Sequence, residues 1–464
     1  MPDLTAPSMP ADATVPSPPE GLPPGRRGWA MATVLIAVGL ATLDTAIANT
    51  ALPTIAADLH ASPAASVWVV NAYQLALVAT VLPFAALGDK LGYRRIYIGG
   101  LAVFTVASAV CALSWSLPTL AVARVLQGLG ASGIMSVNVA LIRFIYPPAM
   151  LGRGVGNNAL VVAIAFAVGP TVASAILSVA PWPYLFAINV PLGALAVAIA
   201  LPTLPRTPLS DRRFDLPSAV LNAVTFSLFV ITLAEASHAA RLRIVLPLFA
   251  VFLLVTLVFL RRQLPLAAPM LPIDLFRRPL FTLSAVTAVC SFAAQGLAFV
   301  SLPFFFQNEL GRSAVDTGLL MTPWPVVVAI MAPIAGRLSD HYPPAILGGV
   351  GMAGLALGML LLGALPAHPT TPDIIWRMAI CGAGFGFFQS PNLRALMTSA
   401  PPERSGGASG VVATSRLLGQ ASGAALVAAC FSIEGVQGPS LALLLGAGFS
   451  GAASVASFMR LAAR

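Results

Sequence analysis

Residues 29–57 read WAMATVLIAVGLATLDTAIANTALPTIAA, an apolar stretch in which Asp44 is the only charged residue. A helix that crosses a lipid bilayer needs about 20 consecutive apolar residues, so this stretch is long enough to cross one. Similar stretches follow it along nearly the whole chain. The pattern therefore indicates a polytopic membrane protein, and the remaining apolar stretches decide how many helices it has.

The composition supports the same class. Only 9% of the residues are charged and 58% are hydrophobic, whereas a soluble domain carries about 25% charged residues. This number of charged residues is too small to cover a surface in water. Most of the outer surface must therefore face lipid. The net charge of +9 comes from short basic clusters between apolar stretches, which is typical of membrane topology. We therefore expect a lipid bilayer and no nucleic acid as a partner.

Counting the apolar stretches between charges, prolines and glycines predicts fourteen membrane-spanning helices. They cover residues 29–57, 67–87, 96–115, 118–142, 154–177, 184–204, 216–236, 244–260, 281–306, 314–335, 346–365, 374–397, 408–431 and 441–459. Residues 1–27 are rich in Pro and lack the apolar core of a signal peptide, so we expect a disordered cytoplasmic tail.

The basic residues test this count and orient it. With the N-terminus in the cytoplasm, most of the 25 Lys and Arg residues fall on the cytoplasmic side, and only Arg241, Arg243, Arg312 and Arg377 fall on the other. Cytoplasmic loops of membrane proteins carry such an excess of positive charge, and the loss of one helix would scramble it. We therefore predict a multi-pass protein of the bacterial cytoplasmic (inner) membrane with both termini in the cytoplasm.

A weak internal repeat predicts the domain organisation. Helix 2 ends in ALGDKLGYRR (residues 86–95) and helix 10 ends in GRLSDHY (residues 336–342), and aligning Asp89 with Asp340 superposes the two helices. Two parallel repeats around a central site are a known transporter plan. The predicted fold is all-α, with two pseudo-symmetric six-helix bundles at 28–204 and 281–464. An inserted helix pair covers 205–262, and a cytoplasmic or interfacial linker covers 263–280.

Asp44 is the first candidate for chemistry. It lies roughly 20–25 Å from either end of its helix at about 1.5 Å per residue, close to the bilayer midplane. A carboxylate there costs at least about 2.5–3.5 kcal/mol, so a functional role is the default expectation. The alternative is a carboxylate locked by hydrogen bonds that only fix helix packing. Arg124 in helix 4 should face the interior and pair with a carboxylate or with carbonyls; the alternative is an arginine that snorkels to the membrane surface.

Four motifs resemble the major facilitator superfamily, and in particular its fourteen-helix drug/proton antiporter branch of the multidrug efflux type. They are LDTAIANTALP (43–53) in helix 1, the helix 2–3 turn quoted above, RVLQGLGA (124–131) in helix 4 and GPTVAS (169–174) in helix 5. Two departures are visible: Ala85 replaces the first Gly of the turn motif, and Ala173 with Ser174 replaces the trailing glycines of the antiporter motif.

The resemblance implies roles for individual residues. Asp44 and Arg124 would couple transport to protons, and Gly169 with Pro170 would form an antiporter kink; a simple packing kink is the alternative. A conformational latch would consist of Asp89, Arg94, Arg95 and Asp340. The alternative for the latch is a topology signal with incidental ion pairs.

A substrate cavity is expected between helices 1, 4, 9 and 12. The candidate lining residues are Asn49, Tyr73, Gln127, Gln295, Phe299, Phe306, Trp324, Gln389 and Asn392. Aromatic faces bind lipophilic cations by cation–π contact. For each residue alone, ordinary packing or a hydrogen bond between helices is the competing interpretation.

The predicted function is a proton-coupled antiporter that exports lipophilic, cationic drugs or biocides by alternating access and so confers antibiotic resistance. A specific metabolite exporter or importer on the same fold is the alternative, because a fold does not fix a substrate. The sequence has no G-x-S-x-G nucleophile, no intramembrane metal cluster and no nucleotide-binding loop. We therefore expect that the protein is not an enzyme and that it needs no metal and no cofactor. We expect a proton gradient to be its energy source. The expected partners are a small-molecule substrate, protons and lipid, and the expected state is a monomer.

Overall fold

The computed structural model of the chain describes residues 21–209, 214–235, 242–266, 272–366, 368–401 and 404–462, and all regular structure within them is helical. The helices are α1 Pro24–Asp58, α2 Pro63–Leu91, α3 Tyr93–Ala112, α4 Leu117–Ile145, α5 Pro148–Leu177, α6 Pro183–Thr203, α7 Leu216–Glu235, α8 Arg243–Gln263, α9 Pro279–Glu309, α10 Ala314–Leu338, α11 Pro344–Gly363, α12 Thr371–Ser399, α13 Gly407–Glu434 and α14 Gly438–Met459. Each overlaps one predicted span.

Thirteen of these helices are apolar enough along their length to cross a membrane. The remaining one, α12, has 29 residues but carries Asp373, Arg377 and Arg394, which lower its hydropathy. The predicted all-helical class is confirmed. The helix ends also follow the sequence: Ser116 begins α4 with a capping box, and Gly92, at φ +93°, separates α2 from α3. The predicted tail, residues 1–27, overlaps the first turn of α1, while residues 1–20 lie outside the described part of the chain.

The two halves share one kind of close contact between helices, in which a glycine lies against the backbone of the neighbouring helix. A Cβ atom on Gly130 of α4 would lie 2.3 Å from the backbone nitrogen of Phe104 in α3, and one on Gly384 of α12 would lie 2.4 Å from that of Leu355 in α11. At both positions the backbones touch so closely that only glycine fits. Because α3–α4 and α11–α12 occupy corresponding positions in the two halves, these contacts support the parallel repeat.

The halves meet along a seam at which α1 packs on α9, α2 on α13, and α5 on α10. We call the face with residues 21–27 and 460–462 the terminal face, and the other the opposite face. Toward the opposite face, Leu52 and Ile55 of α1 belong to one buried apolar cluster with Val300 and Phe304 of α9 and Phe431 of α13. That cluster joins both halves and closes the seam on the opposite face.

The inserted helices attach through α7. Asn222 of α7 donates to the Ala79 carbonyl of α2 at 3.0 Å, and α7 also contacts α13. The outer helix, α8, packs mainly on α7 and leaves apolar side chains such as Leu254 (61% exposed) on the surface. At the terminal face, Arg262 and Asp215 form an ion pair at 2.9 Å. The inserted pair therefore flanks the seam between α2 and α13.

Candidate functional site

Asp44 is buried in the middle of the N-terminal half. Its side chain is 1% exposed, and its Oδ2 lies 2.5 Å from Nη1 of Arg124, which is also 1% exposed. The snorkelling alternative for Arg124 therefore does not hold. A buried ion pair is stable only when hydrogen bonds satisfy the remaining polar atoms, so the other partners of the carboxylate matter.

Those partners come from the neighbouring helices. Oδ1 of Asp44 accepts hydrogen bonds from Nε2 of Gln127 in α4 at 2.8 Å and from Nδ2 of Asn189 in α6 at 2.9 Å. Gln127 also donates to Oγ of Ser108 in α3 at 2.9 Å. Both carboxylate oxygens of Asp44 thus accept hydrogen bonds, which satisfies the polar atoms of this buried pair.

Arg124 is held independently of Asp44. Its Nε donates to the Val69 carbonyl of α2 at 3.0 Å, and its guanidinium lies 4.3 Å from the ring centroid of Tyr73 and 5.5 Å from that of Phe186. Loss of the carboxylate charge would therefore remove only part of what fixes this arginine.

A small cavity of about 20 Å³ lies on the seam beside this pair. Its lining residues come from α1, α2, α5, α9 and α13, and they are Thr45, Asn49, Val70, Gln74, Phe166, Gln295, Gly296, Phe299, Val300, Gln420 and Ala424. Gln420 donates to Oε1 of Gln295 across 3.2 Å, and the Phe166 and Phe299 rings are 4.9 Å apart. The volume suits about one water molecule, so the two halves are closed around the cavity.

Three of the predicted lining residues, Asn49, Gln295 and Phe299, lie on this cavity. Tyr73 and Gln127 instead surround Arg124 and Asp44. Two others belong to the core of the C-terminal half: Trp324, which packs edge-on against Phe299 at 5.2 Å, and Phe306. Gln389 is exposed, and Asn392 contacts Arg460.

Helices α4 and α12, which were predicted to line the cavity, contribute none of its described lining residues. Gln127 of α4 and Asn392 of α12 instead make their hydrogen bonds within their own halves. Helices α2, α5 and α13 take their place, because these helices form the seam. Sequence reasoning missed Ser108, Gln74, Gln420, Phe166 and Asn189. The available signal was a polar side chain within an apolar helix, which applies to all of them except Phe166.

The predicted latch residues lie at two turns on the terminal face. The Tyr93 hydroxyl donates to Oδ1 of Asp89 at 2.5 Å, and Arg94 donates to the Leu201 carbonyl at the end of α6. Arg95 is exposed. In the C-terminal half, Asp340 forms an ion pair with Arg394 of α12. Each aspartate therefore has its partner within its own half.

Gly169 and Pro170 fit α5 against two helices. A Cβ atom on Gly169 would lie 2.3 Å from Cβ of Ala46 in α1. One on Gly318 of α10 would lie 2.2 Å from the Pro170 carbonyl oxygen. The helix continues through Pro170. This segment therefore contacts α1 two residues from Asp44 and contacts the C-terminal half on its other side.

Comparisons with known proteins agree with this architecture. The chain is 52% identical over 444 residues to the uncharacterized transporter YebQ of Escherichia coli (strain K12), covering 95% of this chain and 97% of that protein. It is 31% identical to the riboflavin transporter RibZ of Clostridioides difficile (strain 630), covering 88% and 89%. It is 30% identical to the multidrug resistance protein Stp of Mycobacterium tuberculosis (strain CDC 1551 / Oshkosh), covering 85% and 74%.

Among solved structures, a bacterial homologue of the human lysosomal transporter Spinster, inward-facing and unoccupied, superposes with a TM-score of 0.70. The superposition covers 96% of this chain and 98% of that one at 14% identity, which supports the fold alone. A family model of the Major Facilitator Superfamily matches residues 34–424. From the helical architecture, the relatives and this match, we conclude that the chain is a multi-pass membrane transporter and belongs to the Major Facilitator Superfamily.

Proposed function

We propose that this transporter is a proton-coupled antiporter that exports lipophilic drugs or biocides from a bacterial cell. It would lie in the cytoplasmic membrane with both termini in the cytoplasm, as the distribution of basic residues predicts. The observation that carries the proposal is the burial of Asp44 against Arg124, one residue from Thr45 on the cavity lining. Asp44 is the only buried carboxylate in the part of the chain described above.

Proton binding at Asp44 has the energy scale that a conformational switch needs. A proton on the carboxylate cancels its charge and leaves the guanidinium of Arg124 without a counter-ion. Breaking a buried ion pair costs about 3–5 kcal/mol, and about 5.5 kcal/mol moves a two-state equilibrium from 1:99 to 99:1. A proton that binds Asp44 in only one of two arrangements of the halves would therefore supply much of the bias between them.

The cavity must change size during transport. Pockets that hold drug-sized molecules measure about 300–1,000 Å³, whereas the seam cavity measures about 20 Å³. Cargo therefore requires the halves to separate along α1–α9, α2–α13 and α5–α10. Because the apolar cluster closes the seam on the opposite face, alternating access would open and close that cluster once per cycle.

The charge of the cargo stays a prediction. The rings of Phe166 and Phe299 offer cation–π faces, but the described lining carries no carboxylate. A preference for cations would therefore come from competition between cargo and proton for the field of Asp44, and direct ion pairing in the closed cavity would contribute nothing.

Reconstituted protein tests the proposal directly. An imposed pH gradient across proteoliposomes should drive uphill movement of ethidium, a lipophilic aromatic cation, with a measurable counterflow of protons reported by an internal pH dye. Ethidium movement without proton flux would show that the transporter is not coupled to protons. Proton flux with no movement of ethidium would show that ethidium is not a substrate.

A specific metabolite transporter is the second candidate, because four carboxamides line the cavity: Asn49, Gln74, Gln295 and Gln420. Such groups suit a ligand with several hydrogen-bonding edges, and one relative is named a riboflavin transporter. Cells with and without the gene can be compared on a panel of cationic biocides, neutral drugs and riboflavin. Altered riboflavin accumulation with unchanged biocide susceptibility would favour this candidate over the exporter of drugs.

A further inference from the structure

A second cavity, of about 440 Å³, lies on the terminal face and is far larger than the seam cavity. It is lined by the start of α1, the start of α3 and the end of α6, through Leu22, Arg26, Arg94, Pro202, Leu204, Pro205 and Arg206. Because these are helix ends on one face, the cavity sits where the hydrocarbon of a bilayer gives way to its headgroups.

Among the described residues, the lining contains three guanidinium groups and no carboxylate. Arg94 donates to the Leu201 carbonyl, but its Nε is buried and has no hydrogen-bond partner among the described residues. Arg26 donates to the Pro202 carbonyl at 3.3 Å and is otherwise exposed; Arg206 is exposed. Donors in this fork geometry match the oxygens of a phosphate, so the cavity is suited to an anion that carries one.

The surroundings are apolar on the side of the membrane. Four of the lining residues are Leu or Pro, and α6 leaves large side chains on its surface below the cavity, including Leu195 (52% exposed) and Leu201 (53% exposed). A free phosphate would gain nothing from these groups. A lipid would place its phosphate among the arginines and its acyl chains along α6.

We propose that this cavity binds the headgroup of an anionic glycerophospholipid. The site is separate from the proposed transport pathway, because none of its lining residues belongs to the seam cavity or to the partners of Asp44. Its link to transport runs through Arg94, one of the predicted latch residues: a phosphate on the free Nε holds that side chain against the end of α6.

The test is native mass spectrometry of the full-length protein, titrated with phosphatidylglycerol or phosphatidylcholine of the same acyl chains. We expect phosphatidylglycerol to remain bound and phosphatidylcholine to dissociate. A double variant, Arg26→Gln with Arg206→Gln, removes the two exposed guanidiniums and should weaken phosphatidylglycerol binding by about tenfold or more, because the loss of even one charge-assisted bond corresponds to about tenfold. Arg94→Gln should have a similar effect.

The matched control is Arg153→Gln, an exposed arginine on the same face outside the cavity, which should leave binding unchanged. Equal weakening by Arg153→Gln would show a diffuse surface-charge effect and overturn the proposal. Unchanged phosphatidylglycerol binding in both the double variant, Arg26→Gln with Arg206→Gln, and in Arg94→Gln would overturn it as well. Displacement of the lipid by millimolar inorganic phosphate would identify a free-anion site in place of a lipid site.

Discussion

Each half of the transporter buries an arginine, and the two halves satisfy it with different partners. In the N-terminal half, Arg124 is paired with Asp44. In the C-terminal half, Arg460 donates to Asn392 Oδ1 at 2.8 Å, to Ser284 Oγ at 3.1 Å and to Ser457. A carboxylate can gain a proton, whereas amide and hydroxyl groups stay uncharged across the physiological pH range. Under the proposed mechanism, only the arginine of the N-terminal half has a partner that can bind a proton, so coupling is expected at Arg124 and not at Arg460.

The largest expected effect comes from a substitution that prevents proton binding at residue 44. Asp44→Asn keeps the shape of the side chain and can still accept from Gln127 or Asn189, but it cannot bind a proton. Proton-driven transport in proteoliposomes should fall to the level of protein-free liposomes while the variant still folds and inserts. Uphill transport at the normal rate would contradict the coupling role.

Arg460→Gln is the matched change in the other half. It should lower stability, by about 1.5–3 kcal/mol for lost hydrogen bonds to a charged group, yet leave the ratio of protons to cargo unchanged in the folded fraction. A changed ratio would mean that both arginines take part in coupling, and the contrast between the halves would fail.

The next expected effect is on stability, and it comes from breaking the Asp44–Arg124 pair. Arg124→Gln leaves a buried carboxylate without its counter-ion, so the free energy of unfolding should fall by about 3–5 kcal/mol. Adding Asp44→Asn removes the stranded charge, so the double variant should be more stable than Arg124→Gln alone. Denaturant unfolding in detergent measures both. Additive losses would show that the pair does not interact energetically.

Helix contacts beside the pair predict a smaller effect. Gly169→Ala would force α5 away from Ala46 of α1, because the new Cβ would lie 2.3 Å from that of Ala46. Overpacking of this kind costs about 1–3 kcal/mol. The control is Gly354→Ala in the C-terminal half, where the nearest atom would be 3.6 Å away. Equal thermal stability of the two variants would show that α5 can shift freely.

The smallest expected change in stability concerns the turns on the terminal face. Asp340 pairs with Arg394, and the two side chains are 62% and 44% exposed. Asp340→Asn should therefore cost less than about 1 kcal/mol, as exposed ion pairs do. If the two turns act as latches, Asp89→Asn and Asp340→Asn should each slow transport despite that small cost. Normal turnover in both variants would leave these residues as a topology signal only.

Much of the site could be predicted from the sequence, and the limit is visible in single residues. Asp44 was singled out because a lone acid in an apolar stretch is costly to bury, and Arg124 because a basic residue within a membrane helix must face a partner. Asn189 could not be assigned to Asp44, since 145 residues separate them along the chain. Gln127 was expected on the cavity because its helix was known and its rotation was not.

Hydropathy is a sum over neighbouring residues, so the chain alone determined the helical class and the approximate bounds of the helices; the depth of Asp44 in the bilayer stays a prediction. Which face of each helix meets the seam was decided by tertiary packing. A helix that is apolar on every side does not reveal which side faces its neighbours. The closed seam, the amide-lined cavity and the basic cavity at the terminal face depend on contacts between helices that are distant along the chain, and these exist only in the folded protein.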